Sequence, residues 1–252
     1  MREKILLMGS PGTGKSTQLY YVAKYVHEEY GKPIKILDLE DKFEALLYSE
    51  VGSVPKYIDL HVATKWQEIT DAVDTILGKV KPNDWIGVDR VDLSWPAVQR
   101  HYTRIKYDQS LGEKLMQSAK EIKKRAMFIP RFDQGDWQPV NEAYDGDFIH
   151  RLLFESRCNL VMTTGIAGVS ENSPRDIFGN LGVIPRGQKE LGHQPNSVFL
   201  LFQKREKSQI PPYKYEDSWH ITTAKDLKGR EKFDEHMLFD FSIQYLSMYY
   251  HP

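Results

Sequence analysis

Cysteine is nearly missing from this chain: there is one, Cys158, in 252 residues. An intrachain disulfide is therefore excluded, and a reducing cytoplasm is the compartment to expect. The local run Glu155-Ser156-Arg157-Cys158 supplies no base for a reactive thiol, so core packing is its expected role. Long apolar runs are lacking as well. The first, Ile5-Leu6-Leu7-Met8, is too short for the apolar part of a signal peptide or for a membrane span, and no membrane association is expected. Net charge is almost absent, at -1. No whole-protein field then attracts nucleic acid, and such binding would need a local patch. Repeats and low-complexity tracts are also missing. What remains is an ordinary globular composition, 40% hydrophobic and 27% charged, with length for one large α/β domain spanning 1–252.

Short apolar runs alternate with helical periodicity. Ile5 to Met8 predicts a buried parallel strand that stops at Gly9, and Leu19, Val22, Ala23 and Val26 predict a helix ended by Gly31 and Pro33. A second strand runs from Ile34 and closes with Asp38-Leu39-Glu40, where alternation places Asp38 and Glu40 on one side. Ile58, Leu60 and Val62 mark a third strand, Trp66 to Leu77 a helix, Trp85 to Val88 a fourth strand and Asn159 to Thr164 a further one. This order predicts an α/β fold with a mostly parallel central sheet flanked by helices. The last third adds strand-like runs within 197–233, expected as an antiparallel C-terminal extension, and apolar residues from Met237 to Tyr249 predict a packing helix over 234–250.

The sharpest motif is Gly9-Ser10-Pro11-Gly12-Thr13-Gly14-Lys15-Ser16-Thr17, the G-x-x-x-x-G-K-[ST] pattern of a P-loop, placed between strand and helix as its physics requires. Its glycines let backbone amides wrap phosphate oxygens, Lys15 adds a point charge and the Ser16 hydroxyl is a magnesium ligand. ATP and Mg²⁺ are the expected ligands. Asp89 closes the fourth strand, where a second oxygen donor for that magnesium belongs. Glu40, beyond the second strand, is the candidate base for an attacking water, although Asp41 and Glu44 also fit a charged helix start. Thr163 and Thr164 end a strand with hydroxyls positioned to sense a terminal phosphate or with simple β-propensity.

Between Pro96 and Phe132 the chain becomes basic, with nine Lys or Arg against three acidic residues. Arg100, Arg104, Lys106, Lys123, Lys124 and Arg125 are candidate nucleic-acid contacts in this helical insert over 95–136, with Tyr102, Tyr107 and Phe128 interleaved for stacking. A solvated helical face is the alternative. A second segment, 166–194, is rich in Gly, Pro, Asn and Ser, carries Arg175 and Arg186, and is expected to be a long flexible loop.

The order of these parts resembles the RecA-like ATPase core. More narrowly it resembles the phage-type nucleotide-binding proteins of that superfamily, which include single-strand-annealing recombinases. The resemblance implies that Lys15 and Ser16 are the phosphate and magnesium ligands, Asp89 the Walker B acid and Glu40 the water-activating base. It puts Thr164 near a polar sensor position commonly held by Gln. It also matches Lys225 and Lys228 to a basic segment that reaches a neighbour's nucleotide in homo-oligomers. The implied function is a magnesium-dependent ATPase that binds single-stranded DNA in viral or phage recombination, annealing or replication. A nucleoside or small-molecule kinase and a nucleotide-dependent DNA packaging or assembly factor are the rivals.

Overall fold

A computed structural model describes residues 2–125, 132, 134–169, 181–207, 215–230 and 232–250. The first strand, β1 (Lys4–Gly9), lies inside an eight-stranded sheet. It pairs in parallel with β5 (Asn159–Thr164) on one side and β8 (Ser197–Lys207) on the other. Beyond β5 follow β4 (Trp85–Asp89), β2 (Ile34–Asp38) and β3 (Ile58–Val62), all parallel. Beyond β8 come β9 (Tyr215–Asp226) and β10 (His236–Met237), each antiparallel to its neighbour. The α/β class read from the sequence is thus present: a mostly parallel sheet, helices on both faces and an antiparallel C-terminal extension. One boundary moves, since β8, expected in the antiparallel part, bonds β1 in parallel and belongs to the main sheet.

Strands buried on both faces explain the continuous apolar runs. Ile5 and Leu7 enter one core with Leu19, Val22 and Val26 of α1 (Lys15–Tyr30), whereas Leu6 and Met8 enter the other. That second core is filled by α3 (Trp66–Lys79), α4 (Ser94–Tyr107) and α6 (Trp137–Tyr144), the last continued by π-turns over Asp145–Ile149 and Arg151–Glu155. A short α2 (Phe43–Val51) follows β2, and α5 (Leu111–Arg125) follows α4. Gly87 matters for this packing. A Cβ there would lie 2.9 Å from Leu19 Cδ1, so a bare backbone lets α1 settle on β4.

Two expected elements differ. The helix over 234–250 is interrupted, because His236 and Met237 pair with Ile221 and His220 on β9 and Asp240 starts helical structure later. The Asp240 carboxylate accepts from the Ser242 amide at 2.9 Å, capping a π-turn over Ser242–Leu246 and the turn Ser247–Tyr249. The 166–194 loop has ordered flanks, β6 (Ile166–Gly168) paired antiparallel with β7 (Val183–Pro185), while residues 170–180, Arg175 among them, lie outside the described residues.

Candidate nucleotide site

Gly9 ends β1 tight against β8, where a Cβ would fall 2.4 Å from the Leu201 carbonyl oxygen, so only glycine fits. Gly12 and Gly14 then take φ of 81° and 82°, the left-handed region that turns the loop back onto α1. Ser10 and Pro11 form its exposed tip. Thr13 Oγ1 donates to the Ser10 carbonyl at 2.9 Å, closing the loop on itself. No side chain caps the N-terminus of α1 and its first turn holds no acidic residue, which leaves a bare, positive helix end. The Lys15 ammonium is folded over the loop onto the Ser10 carbonyl at 2.7 Å, and burial, with Arg90 nearby, lowers its pKa.

Strand alternation brings the oxygen donors to this loop. Val88 packs in the core away from α1, so Asp89 faces α1. Ser16 Oγ donates to both Asp89 carboxylate oxygens, at 2.9 and 3.0 Å. A hydroxyl and a carboxylate thus converge on one point beside an uncapped helix end, a donor set that fits a hard cation shared with phosphate. Among the described residues no cluster of three or more His, Cys, Asp or Glu offers an alternative all-protein cage. Asp89 is nearly fully buried, and burial pushes its carboxyl up to about 6. By the same parity Thr163, next to the α1-side residue Val161, is the threonine that reaches Asp89, donating to Oδ1 at 2.5 Å. Thr164, the expected sensor, points to the other face and donates to the Arg186 carbonyl at 2.9 Å.

Glu40 does not share a strand face with Asp38. The strand stops at Asp38, whose carboxylate accepts the amides of Glu40, Asp41, Lys42 and Phe43 at 2.8 to 3.1 Å and curls the chain into α2. Asp41 at φ 59° completes the turn. The Glu40 side chain ends beside Arg90, whose NH1 donates to Oε1 at 3.0 Å, and Lys42 reaches the same oxygen at 2.9 Å. Arg90 also forks onto Asp92, from Nε at 3.0 Å and NH2 at 3.1 Å. Arg90 was not singled out in the sequence; the only signal was its place in Asp89-Arg90-Val91-Asp92, straight after the candidate magnesium ligand.

A cavity of 360 Å³ opens on the far side of the loop, lined by Gly12, Thr17, Gln18, Tyr21, Trp219 and Phe239. The Trp219 indole donates to the Gly12 carbonyl at 3.1 Å, tying β9 to the loop tip.

No protein-family model matches the chain, and no curated protein matches it. Many solved structures are similar. One of them is a KaiC-like protein of the hyperthermophilic archaeon Pyrococcus horikoshii, 14% identical over 94% of this chain and 85% of that one, with a TM-score of 0.48. The α/β class is carried by strand order and the placement of Gly9 to Thr17, independently of that likeness.

Other expected residues lie elsewhere. Lys225 is spent inside the chain, donating to the carbonyls of Gly192, His193 and Pro195, and Lys228 donates to buried Glu3 at 2.7 Å. Neither is free to reach a neighbour's nucleotide. Lys106 is ion-paired with buried Asp136, which also accepts the hydroxyls of Tyr102 at 2.9 Å and Tyr107 at 2.6 Å. This cluster takes Lys106 and both tyrosines out of the expected stacking surface. Arg100 and Arg104 are exposed one turn apart on α4, in a groove of 590 Å³ shared with Lys65, Gln67 and His101, and no described carboxylate pairs with either. The side chains of Lys123, Lys124 and Arg125, and Phe128 altogether, lie outside the described residues. Cys158 is buried, and burial raises its thiol pKa, as core packing requires.

Proposed function

We propose that the chain is a RecA-type ATPase that hydrolyses ATP with Mg²⁺. The observation that carries this is the convergence of Ser16 and Asp89 at 2.9 Å beside the uncapped α1 and the folded Lys15 ammonium. The loop amides and Lys15 would hold the phosphates, and Ser16 with Asp89 would hold the cation. Bound there, Mg²⁺ supplies neutralisation of charge on the phosphate oxygens. Glu40 would orient a water and take its proton as the water oxygen bonds the terminal phosphorus and the bridging oxygen leaves with ADP. The aromatic cavity at Tyr21, Trp219 and Phe239 suits the nucleoside end, one turn of α1 from the phosphates.

We further propose single-stranded DNA as partner, in recombination, annealing or replication of a viral kind. Its support is now narrower, resting on Arg100 and Arg104, the two described members of the six nucleic-acid candidates that no described carboxylate engages. The kinase alternative calls for an Arg-rich lid in the 166–194 segment, where Arg186 is exposed and stands 3.9 Å from Asp92 and Arg175 lies outside the described residues. Homo-oligomerisation loses the support of Lys225 and Lys228.

Steady-state ATP turnover, with and without single-stranded DNA across a salt series, tests both parts. Turnover that needs Mg²⁺ and vanishes in Lys15→Ala is expected. Stimulation by DNA should weaken as salt rises and shrink in Arg100→Ala/Arg104→Ala. Absence of turnover with tight nucleotide binding would favour the assembly factor, and stimulation by a nucleoside instead of DNA would favour the kinase.

A further inference from the structure

Arg90 stands in a conformation that an ordinary residue avoids. At φ 62° and ψ 51° it is left-handed, a backbone state that costs of order 1 kcal/mol or more outside glycine and persists where surroundings impose it. Its amide is fixed by donation to Thr163 Oγ1 at 2.8 Å, the same hydroxyl that reaches Asp89. Its guanidinium is aimed by the two-pronged bond to Asp92, whose side chain is 0% exposed. Asp92 in turn is fenced by Gly165 and Gly187: a Cβ on Gly165 would stand 3.4 Å from Asp92 Oδ2, and one on Gly187 would stand 3.3 Å from its Cα. Asp92 takes Nε and NH2, and the remaining guanidinium nitrogen, NH1, donates to Glu40 Oε1 at 3.0 Å. Lys42 takes the same oxygen. No described residue bonds Oε2, so one carboxylate oxygen is anchored and the other is left for water.

We infer that Arg90, braced by Asp92, is the positioning residue that holds the Glu40 carboxylate for water activation. The inference rests on the hydrolytic role proposed for Glu40. A purely structural bridge between the ends of β2 and β4 would not need a strained backbone and a buried brace. Nor would it leave the partner's second oxygen open. Misplacing a reacting group by about 1 Å costs about 10²-fold in rate. Loss of the guanidinium should therefore act on turnover and spare binding.

The test is a double-mutant cycle on the full chain, measuring kcat, KM and nucleotide affinity for Arg90→Asn, Arg90→Lys, Glu40→Gln and the Arg90→Asn/Glu40→Gln pair. Asn tolerates the left-handed backbone, and unchanged nucleotide affinity certifies an intact site. Arg90→Asn should lower kcat about 10²-fold with KM near wild type, Arg90→Lys should recover part, and Arg90→Asn should cost nothing further once Glu40 is Gln. Losses that multiply in the pair would show that Arg90 acts without Glu40 and would overturn the inference, as would wild-type kcat in Arg90→Asn beside an inactive Glu40→Gln. Wild-type turnover in Glu40→Gln would instead remove the base assignment itself, and this inference with it.

Discussion

Asp89 is asked to carry a full charge where almost no water reaches it. Burial is the main cause of its carboxyl standing near 6, and the hydroxyls of Thr163 and Ser16 offset only part of that rise. Since the folded-state value lies above the ordinary 3.8, this group makes the metal-free fold more stable as pH falls from 6 towards 4. Cation binding runs the other way, because a proton and Mg²⁺ compete for the same oxygens. Affinity for Mg²⁺ with nucleotide should fall as pH drops through 6, approaching roughly tenfold per pH unit, in titrations compared at about pH 5 and about pH 7. Asp89→Asn should flatten that dependence along with most of the affinity. The places of Gly9 to Thr17 after β1 and of Asp89 at the end of β4 were legible in the sequence because each follows a short apolar run. Arg90 was not, since its partner Glu40 lies fifty positions away and its backbone angle leaves no sequence mark. Thr163 and Thr164 were read together at the strand's end, and the resemblance alone singled out Thr164, although alternation turns Thr163 towards Asp89.

At the level of elements, the position of the Gly9–Thr17 loop depends on how closely α1 lies on β4. Gly87 sets that distance. Gly87→Ala would press its new methyl against Leu19 Cδ1 at 2.9 Å and Ile36 Cγ1 at 3.2 Å, an overpacking worth about 1–3 kcal/mol. Urea unfolding should report that loss, and nucleotide titration should report weaker binding because Ser16 rides on the displaced helix. The parallel strands and α1 were readable from periodicity and from Gly31, which caps the helix at φ 64°. The C-terminal region was not, because β10 is two residues long and exists only through its pairing with β9. The parallel pairing of β8 was equally hidden, as nothing in an apolar run states the direction of its neighbour.

Across the whole molecule, charge joins the residue that precedes β1 to the segment that follows β9. Glu3, 1% exposed, accepts Lys228 Nζ at 2.7 Å and Arg230 NH2 at 2.7 Å. Removing one member of such a group leaves buried charge uncompensated, so Glu3→Ala should cost about 3–5 kcal/mol in unfolding experiments. Lys228→Ala should lose stability and keep its turnover per folded molecule, which a role at a neighbour's nucleotide would not allow. The same long-range joining decides when the protein can assemble. β1 is made well before its partners, Leu160 on β5 and Ser197 on β8. Until they emerge, Ile5 to Met8 has no sheet to enter. The nascent chain then carries these apolar residues and the unformed Gly9–Thr17 loop with no sheet to fold onto, and refolding from denaturant should be correspondingly slow and prone to aggregation.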